Sequence, residues 1–306
     1  MIAQDALLDA VRALGATIND RDARLQAELL LAHALGVSRA LALARLNDLL
    51  APEIAAQYAA NVARRAQNEP LAYILGHQEF YKLDFSVDRR VLIPRHETET
   101  LIELALARAP RESPTIVDVG TGSGAIALTL AHHLPDARVI ALDVSPDALA
   151  VARMNAARLH LESRVEFRES DLLEHFHDSF DLLVANLPYI PRARFDQLPR
   201  EVRAFEPRRA LDGGDDGLDV LRRLLAQIEA RAKRGATALF EISEEQGDTA
   251  RQLAQQILPH CAAIIHRDLE GMDRVLEINL NLMRHPERSE GSRATNRRFL
   301  TLFGMT

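Results

Sequence analysis

The stretch Thr115-Ile116-Val117-Asp118-Val119-Gly120-Thr121-Gly122-Ser123-Gly124, continued by the apolar run Ala125 to Ala131, decides the fold. Five residues of buried-strand type deliver the chain into three alternate glycines, and a helical pattern follows. Glycine permits the tight turn and lets backbone approach a ligand closely. Gly120, Gly122 and Ala125 also satisfy the dinucleotide pattern Gly-x-Gly-x-x-Gly/Ala, and a glycine-rich turn with no ligand has the same composition, so the loop alone leaves several readings open.

Further strands are expected at Arg138 to Asp143, Arg164 to Arg168, Phe180 to Ala185, Ala236 to Ile242, Ala262 to Arg267 and Arg274 to Asn279. Helices such as Ala125 to His133 and Pro146 to Leu159 separate the first of these, which calls for an α/β fold with a parallel sheet covered on both faces. The last two strands, joined by Asp268-Leu269-Glu270-Gly271-Met272-Asp273, should pair antiparallel and put one reversed strand in the sheet. Asp143 ends the second strand, where a carboxylate can accept hydrogen bonds from both hydroxyls of a ribose. Asp171 and the Leu172 backbone follow the third and can border an adenine. Each acid alone reads as an ordinary strand end or cap; their order at successive strand ends is what singles them out.

Toward the N-terminus, residues 1–76 carry Leu7, Leu8, Val11 and Leu14, then Leu25, Leu29, Ala32 and Leu35 at helical spacing, and read as a small all-α helical bundle. Asn19 or Asp20 can cap a helix that Gly36 ends, Ser38 can cap the next, and Pro52 can open another. Residues 77–93 alternate in hydrophobicity around Asp88-Arg89-Arg90 and predict a β-hairpin connector. A helix from Glu97 to Arg108 leads into the main domain at 94–281, and residues 282–306 lack a core pattern and read as a disordered tail.

Composition narrows the function. With 306 residues, 47% of them hydrophobic, the chain can bury a sizeable core and divide into two domains. A formal charge of −7 argues against a generic nucleic-acid binder held by phosphate contacts. Cys261 is the single cysteine, so a disulfide framework and a Cys-x-x-Cys metal site are excluded, and a reducing cytoplasm fits. The start Met1-Ile2-Ala3-Gln4-Asp5 lacks a basic, apolar leader, and no long uncharged apolar run is present, so no membrane association is expected. His132-His133 and His175-Phe176-His177 lack a second ligand cluster, and no metal is expected.

Asn186-Leu187-Pro188-Tyr189 follows the fourth strand and so shares the carboxyl edge with the glycine loop, where open parallel sheets bind ligands. A side-chain carbonyl at Asn186 and a backbone carbonyl at Pro188, steered by the proline ring, can hold the two N–H groups of a planar NH2, while the Tyr189 ring covers its face. Asn and Pro are also common turn residues, so the tetrapeptide by itself permits a plain strand-ending turn. An amide or aromatic amine is a poor nucleophile, and such acceptors would bind it more tightly as it gains positive charge in the transition state.

The acid at Asp118 followed by glycines at 120, 122 and 124 resembles the first motif of class I S-adenosylmethionine-dependent methyltransferases. The resemblance implies a Rossmann-like, seven-stranded, mostly parallel doubly wound sheet with a reversed last strand. It further implies S-adenosyl-L-methionine as co-substrate, held by Gly120, Thr121, Gly122, Ser123, Gly124, Asp143, Asp171, Leu172 and Asn186. Asn186 to Tyr189 resembles the Asn-Pro-Pro-Tyr motif of methyltransferases acting on glutamine amide or adenine amine nitrogen, with Leu187 in place of the usual proline. It implies Asn186, Pro188 and Tyr189 as catalytic residues and Leu187 beside them in the substrate site.

Tyr73-Ile74-Leu75-Gly76, Val91 to Glu99, Glu206 to Gly214 and Asp268 to Arg274 resemble peptide-chain release factor N5-glutamine methyltransferases, with His96 departing from the usual proline. This implies a release factor as the protein substrate, docked by the N-terminal helices, and a target glutamine in its Gly-Gly-Gln loop. From the residues themselves, Arg95 is either part of the site mouth or a surface ion pair, and 206–217 either a substrate-side flap or a solvated loop. The alternative activity is adenine-N6 methylation of DNA or RNA, which should bring a basic recognition region. Residues 1–76 instead hold seven Arg and eight acids, a net of −1, so sequence-specific nucleic-acid binding is not expected. A scaffold without activity would be expected to have lost Gly120, Asp143 or Asn186, and all three stand.

Overall fold

Caps and proline placement set the helix boundaries of the N-terminal region. In the computed structural model, which describes residues 1–280, five helices come first: α1 (Ala3–Gly15), α2 (Asp20–Leu35), α3 (Arg39–Ala44), α4 (Pro52–Ala66) and α5 (Leu71–Leu75). The Asn19 side chain accepts the Asp22 N–H and Ser38 accepts the Leu41 N–H, each such cap contributing about 1 kcal/mol. Pro52 opens α4, where its missing N–H would have had no helical partner anyway. Gly36 ends α2 at φ 64°, a left-handed conformation with no Cβ penalty.

The phase of α2 differs from the sequence expectation. Its core face is Ala23, Ala27, Leu30, Leu31 and Ala34, packed on Leu7 and Leu14 of α1 and Tyr58 and Val62 of α4. Leu25 is 41% exposed, and Leu29 and Leu35 are half-buried. Alanine on the buried face lets the helices approach closely, and a leucine count alone points to the wrong side.

The hairpin is also shorter than expected. Strands β1 (His77–Phe80) and β2 (Leu83–Ser86) pair antiparallel about Tyr81 and Lys82, at φ 47° and 62°. Two positive-φ residues make the tight turn that suits a right-twisted hairpin, usually filled by Asn-Gly, and neither Tyr nor Lys signals it. Asp88-Arg89-Arg90 lies beyond β2, in the irregular stretch that leads to the next helix.

A 3-10 turn at His96–Thr98 feeds α6 (Glu99–Arg108), and strand and helix then alternate: β3 (Thr115–Val119), α7 (Ala125–His133), β4 (Arg138–Asp143), α8 (Pro146–Arg158), β5 (Val165–Glu169) and β6 (Phe180–Ala185). After α9 (Arg200–Phe205) and α10 (Asp219–Ile228) come β7 (Ala232–Glu241), α11 (Gly247–Ile257), β8 (Ala262–Arg267) and β9 (Asp273–Leu280). The seven-stranded sheet runs β5-β4-β3-β6-β7-β9-β8, parallel except for β9, which pairs antiparallel with both β7 and β8. The expected tail at 282–306 lies outside the described residues.

Alternation along the strands divides the core. Val117, Ile140, Leu142, Leu183, Phe240 and Ile278 face α10 and α11. Ile116, Val139, Ala141, Leu182, Val184 and Leu239 face α6, α7 and α8. Full burial of one such Leu or Phe stabilises the fold by roughly 1.5 to 3 kcal/mol. By the same two-residue period Asp118, Asp143 and Glu241 belong to the second face, at or near the carboxyl ends of their strands.

Candidate active site

The loop after β3 is held by backbone bonds before any ligand is considered. The Gly120 and Thr121 N–H groups donate to the Leu142 carbonyl at 2.8 and 2.9 Å. Gly120, Gly122 and Gly124 all have positive φ, at 78°, 56° and 82°. A Cβ at Gly124 would meet Leu128 at 3.0 Å and Ala152 at 3.1 Å, so this glycine lets the loop seat on α7 and α8. Asn155, fully buried in α8, donates from Nδ2 to the Ser123 and Ser86 carbonyls at 2.9 and 3.0 Å and accepts the Ser86 N–H at 2.7 Å. One side chain thereby ties the glycine loop to the hairpin.

Two carboxylates back this loop. Asp143 accepts the Gly122 N–H at 2.9 Å and the Ser145 N–H at 2.8 Å, one on each oxygen, which leaves lone pairs for further donors. Burial raises its pKa and these two bonds oppose the rise. Asp118, with no exposed surface, accepts the Thr121 hydroxyl at 2.6 Å and the Ala127 N–H at 3.2 Å on one oxygen. Its other oxygen has no partner among the described residues. Burial pushes the Asp118 carboxyl up to about 7 against the pull of those two bonds.

At the end of β5, Leu172 is buried with φ 54°, and Asp171 accepts from Arg223 at 2.7 Å in an exposed pair. Asp171 thus sits at the expected strand end with its carboxylate already engaged by a guanidinium.

Asn186 Nδ2 donates to Thr98 Oγ1 at 3.2 Å, which orients the amide and leaves its Oδ1 as the unspent acceptor. Leu187 is buried in the sheet core, 3.4 Å from where a Cβ on Gly120 would stand. The motif's departure is therefore a core residue that packs on the glycine loop. The Tyr189 hydroxyl donates to Glu241 at 3.4 Å, and the Tyr189 carbonyl accepts from Gln246 Nε2 at 3.0 Å. Burial pushes the Glu241 carboxyl up to about 7, with the Thr98 hydroxyl and Arg274 pulling the other way.

A cleft of about 190 Å³ opens onto Asn186 and Tyr189 and is walled by Leu92, Arg95, Val202 and Leu211. A neighbouring cleft of about 300 Å³ lies past Tyr189, against Arg194, Gln197 and Ser243. Arg95 lines the mouth and pairs there with the buried Glu206, which also accepts the Ile93 N–H at 3.3 Å, so its ion pair is an inward one and not the surface pair that the sequence also allowed. Burial raises the Glu206 pKa and Arg95 opposes that rise.

The 206–217 segment is neither a free flap nor a solvated loop. The Ile190 N–H donates to Leu211 at 3.0 Å and the Gly213 N–H to Ile190 at 2.9 Å, so the segment braces the tetrapeptide from behind. Thr98, Asn155, Glu241 and Gln246 escaped the sequence reading. Thr98 lay inside the stretch Val91 to Glu99 that carries the family resemblance, and Glu241 carried a signal too, since it ends a strand on the same edge as Asp143.

Comparison with known proteins fits this geometry. A family profile described as PrmC N-terminal domain matches residues 5–76, and one described as methyltransferase domain matches residues 116–205. The chain is 47% identical to the release factor glutamine methyltransferase of Moorella thermoacetica over 90% of its own length and 97% of that protein. It is 43% identical to the protein of that name from Koribacter versatilis, over 83% of this chain and 90% of the relative. Among solved structures, the hMettl16 catalytic domain in complex with MAT2A 3'UTR hairpin 6 shares the fold at TM-score 0.53 and 17% identity, covering 72% of this chain and 82% of that one. A methyltransferase from Pyrococcus furiosus does so at TM-score 0.51 and 16% identity, covering 72% and 98%. Identity of this order over most of the length of both chains means that the chain belongs to the release factor glutamine methyltransferase family.

Proposed function

We propose that this protein transfers a methyl group from S-adenosyl-L-methionine to the N5 side-chain amide nitrogen of the glutamine in the Gly-Gly-Gln loop of peptide-chain release factors, and so modulates translation termination. The observation that carries this reading is the Asn186 amide, which spends its donor on Thr98 and keeps its acceptor for the cleft. Family membership favours glutamine over the adenine alternative. Residues 1–76 dock the release factor and 94–281 carry the chemistry, in a cytoplasmic setting.

Gly120 to Gly124, Asp143, Asp171 and Leu172 hold the co-substrate, whose sulfonium supplies an electrophilic methyl group. The chain's own part is to make a weak nucleophile attack. Asn186 Oδ1 and the Pro188 carbonyl accept the two N–H groups, and the Tyr189 ring covers the amide face. As the nitrogen takes the methyl carbon from sulfur, whose carbon–sulfur bonding pair stays behind on a neutral thioether, the nitrogen loses conjugation and gains positive charge, so both acceptors bind the transition state more tightly than the ground state. The N–H becomes acidic only as the new bond forms, and a strong base is not required. Each charge-assisted bond contributes roughly 1.5 to 3 kcal/mol, so Asn186→Ala should slow turnover about 10- to 150-fold.

The deciding experiment incubates the protein with labelled S-adenosylmethionine and either a release factor or DNA and locates the label by mass spectrometry. Methyl on the Gly-Gly-Gln glutamine is expected. Methyl on adenine, with none on that glutamine, overturns the reading.

A further inference from the structure

The cleft that opens onto Asn186 and Tyr189 has mostly apolar walls, Leu92, Leu198, Val202 and Leu211 among them, and Arg95 is the one charged side chain that lines it. Asn186 and Tyr189 donate to Thr98 and Glu241, away from any occupant. The main-chain N–H groups of Ile190, Leu198, Val202, Ala210 and Leu211 are bonded to carbonyls within the protein. A substrate carbonyl drawn in here gives up water, and a desolvated acceptor left without a donor is costly. Arg95 is the cationic donor available to it.

The guanidinium is held ready for such a task. Its Nη2 donates to Oε1 of Glu206, whose side chain is 1% exposed, while Oε2 of Glu206 accepts the Ile93 N–H. The Val91 carbonyl, in the same run, accepts the Tyr73 hydroxyl at 2.6 Å. Among the described residues Nε and Nη1 of Arg95 have no hydrogen-bond partner, and 32% of the side chain stays exposed. Neutralising Glu206 is an incomplete explanation of this arrangement, because an apolar pair of similar size would serve stability as well. It leaves unexplained a cation with unspent donors on an apolar wall.

Taking the glutamine-methylating reading as its basis, we propose that Arg95 is a specificity-determining residue that donates to a main-chain carbonyl of the release-factor loop, next to the target glutamine. A Gly-Gly segment presents backbone in place of side chains, so its recognition has to fall on main-chain groups. The side-chain carbonyl of the glutamine is the wrong acceptor. A cation on that oxygen would draw electron density away from the nitrogen and make a weak nucleophile weaker. The bond would also loosen as conjugation is lost, favouring the ground state over the transition state. A main-chain carbonyl keeps its charge throughout, and a bond to it tightens binding without touching the chemical step.

The test measures kcat and KM on an intact release factor for Arg95→Lys, Arg95→Met, and Arg95→Met combined with Glu206→Gln, with cofactor affinity and chemical denaturation beside them. The combined change leaves no buried charge unpaired, so it stays informative where Arg95→Met alone fails to fold. Its KM should rise about 10- to 100-fold, the loss of one charge-assisted bond, while kcat and the cofactor Kd stay within about threefold of wild type. Arg95→Lys keeps the charge and should recover part of the lost KM. A wild-type KM in the combined variant overturns the proposal, and so does a fall in kcat as large as the rise in KM, the mark of a structural prop. A kcat that rises along with KM would put Arg95 on the oxygen of the reacting amide and overturn it as well. Should the combined variant not fold, Arg95→Lys decides alone, since its KM must exceed that of wild type at unchanged kcat. A wild-type protein that fails to methylate the release factor glutamine would instead refute the underlying reading, a separate result visible before any variant is made.

Discussion

The carbonyl oxygen of Pro188 stands 2.7 Å from the point a β-carbon on Gly213 would occupy, and the Gly217 carbonyl is equally close on the other side. Both obstacles are backbone, so neither can swing away as a flexible side chain would. Gly213→Ala should displace the Pro188 acceptor and lower turnover about 10- to 100-fold, since displacements near 1 Å are costly at a reacting centre. Steady-state kinetics beside calorimetric cofactor titration checks this: kcat should fall and the cofactor Kd should not move.

Asp143 answers to the opposite pair of measurements. It organises Gly122 and Ser145 through both oxygens, so Asp143→Ala removes the proposed cofactor acceptor and loosens the loop beneath it. We expect cofactor affinity to fall about 10- to 100-fold, the loss of about one charge-assisted bond. Saturating the variant with cofactor should restore much of the rate. A normal Kd would remove Asp143 from the cofactor site.

Asp118 predicts a pH dependence of folding. Burial raises its folded-state pKa to about 7 from an ordinary 3.8. Between those values the unfolded chain is ionised while the folded chain keeps the proton, so stability falls as pH rises from about 4 to 7 and levels off above. Glu241, also pushed to about 7 by burial, adds a slope of the same sign. Urea denaturation of Asp118→Asn at several pH values should therefore show a shallower decline than wild type, and an unchanged slope would contradict the assignment.

Leu187 separates stability from chemistry. Its side chain packs with Val119, Leu142 and Leu172 in the sheet core, so Leu187→Ala should cost about 2 to 5 kcal/mol of unfolding free energy. The acceptors on either side of it are the Asn186 side chain and the Pro188 backbone. Turnover per folded molecule should accordingly drop far less than the unfolding midpoint suggests, which chemical denaturation and kinetics on one preparation will separate.

What could be read in advance divides along local and distant interactions. β3, β4, β6 and β8 begin and end where expected; β3 and β6 did so because a strand buried on both faces must be apolar nearly throughout, whereas β8 lies exposed at the sheet edge. β7 starts four residues earlier than expected, at Ala232 rather than Ala236, since Lys233 is polar yet paired with Asp181 at 2.6 Å. That Asn186 to Tyr189 would stand on the same sheet edge as the glycine loop was legible, because each follows a parallel strand of the sheet. Thr98 and Asn155 were not, for their meaning lies in partners 88 and 32 or more residues away. The Tyr81-Lys82 turn was hidden for another reason: the hairpin pairing forces φ values that neither residue favours alone.

The order of the sheet has a consequence for how the chain is made. β9 is the last described strand to leave the ribosome, yet it lies between β7 and β8. When β8 emerges its only neighbour does not yet exist, and the far edge of β7 stands open as well. The glycine-loop half, β3 to β6, has its pairings available long before. A stall or cleavage before Asp273 would thus yield a chain with its glycine loop in place and two unpaired strand edges, the kind of surface that recruits chaperones or other unfinished chains.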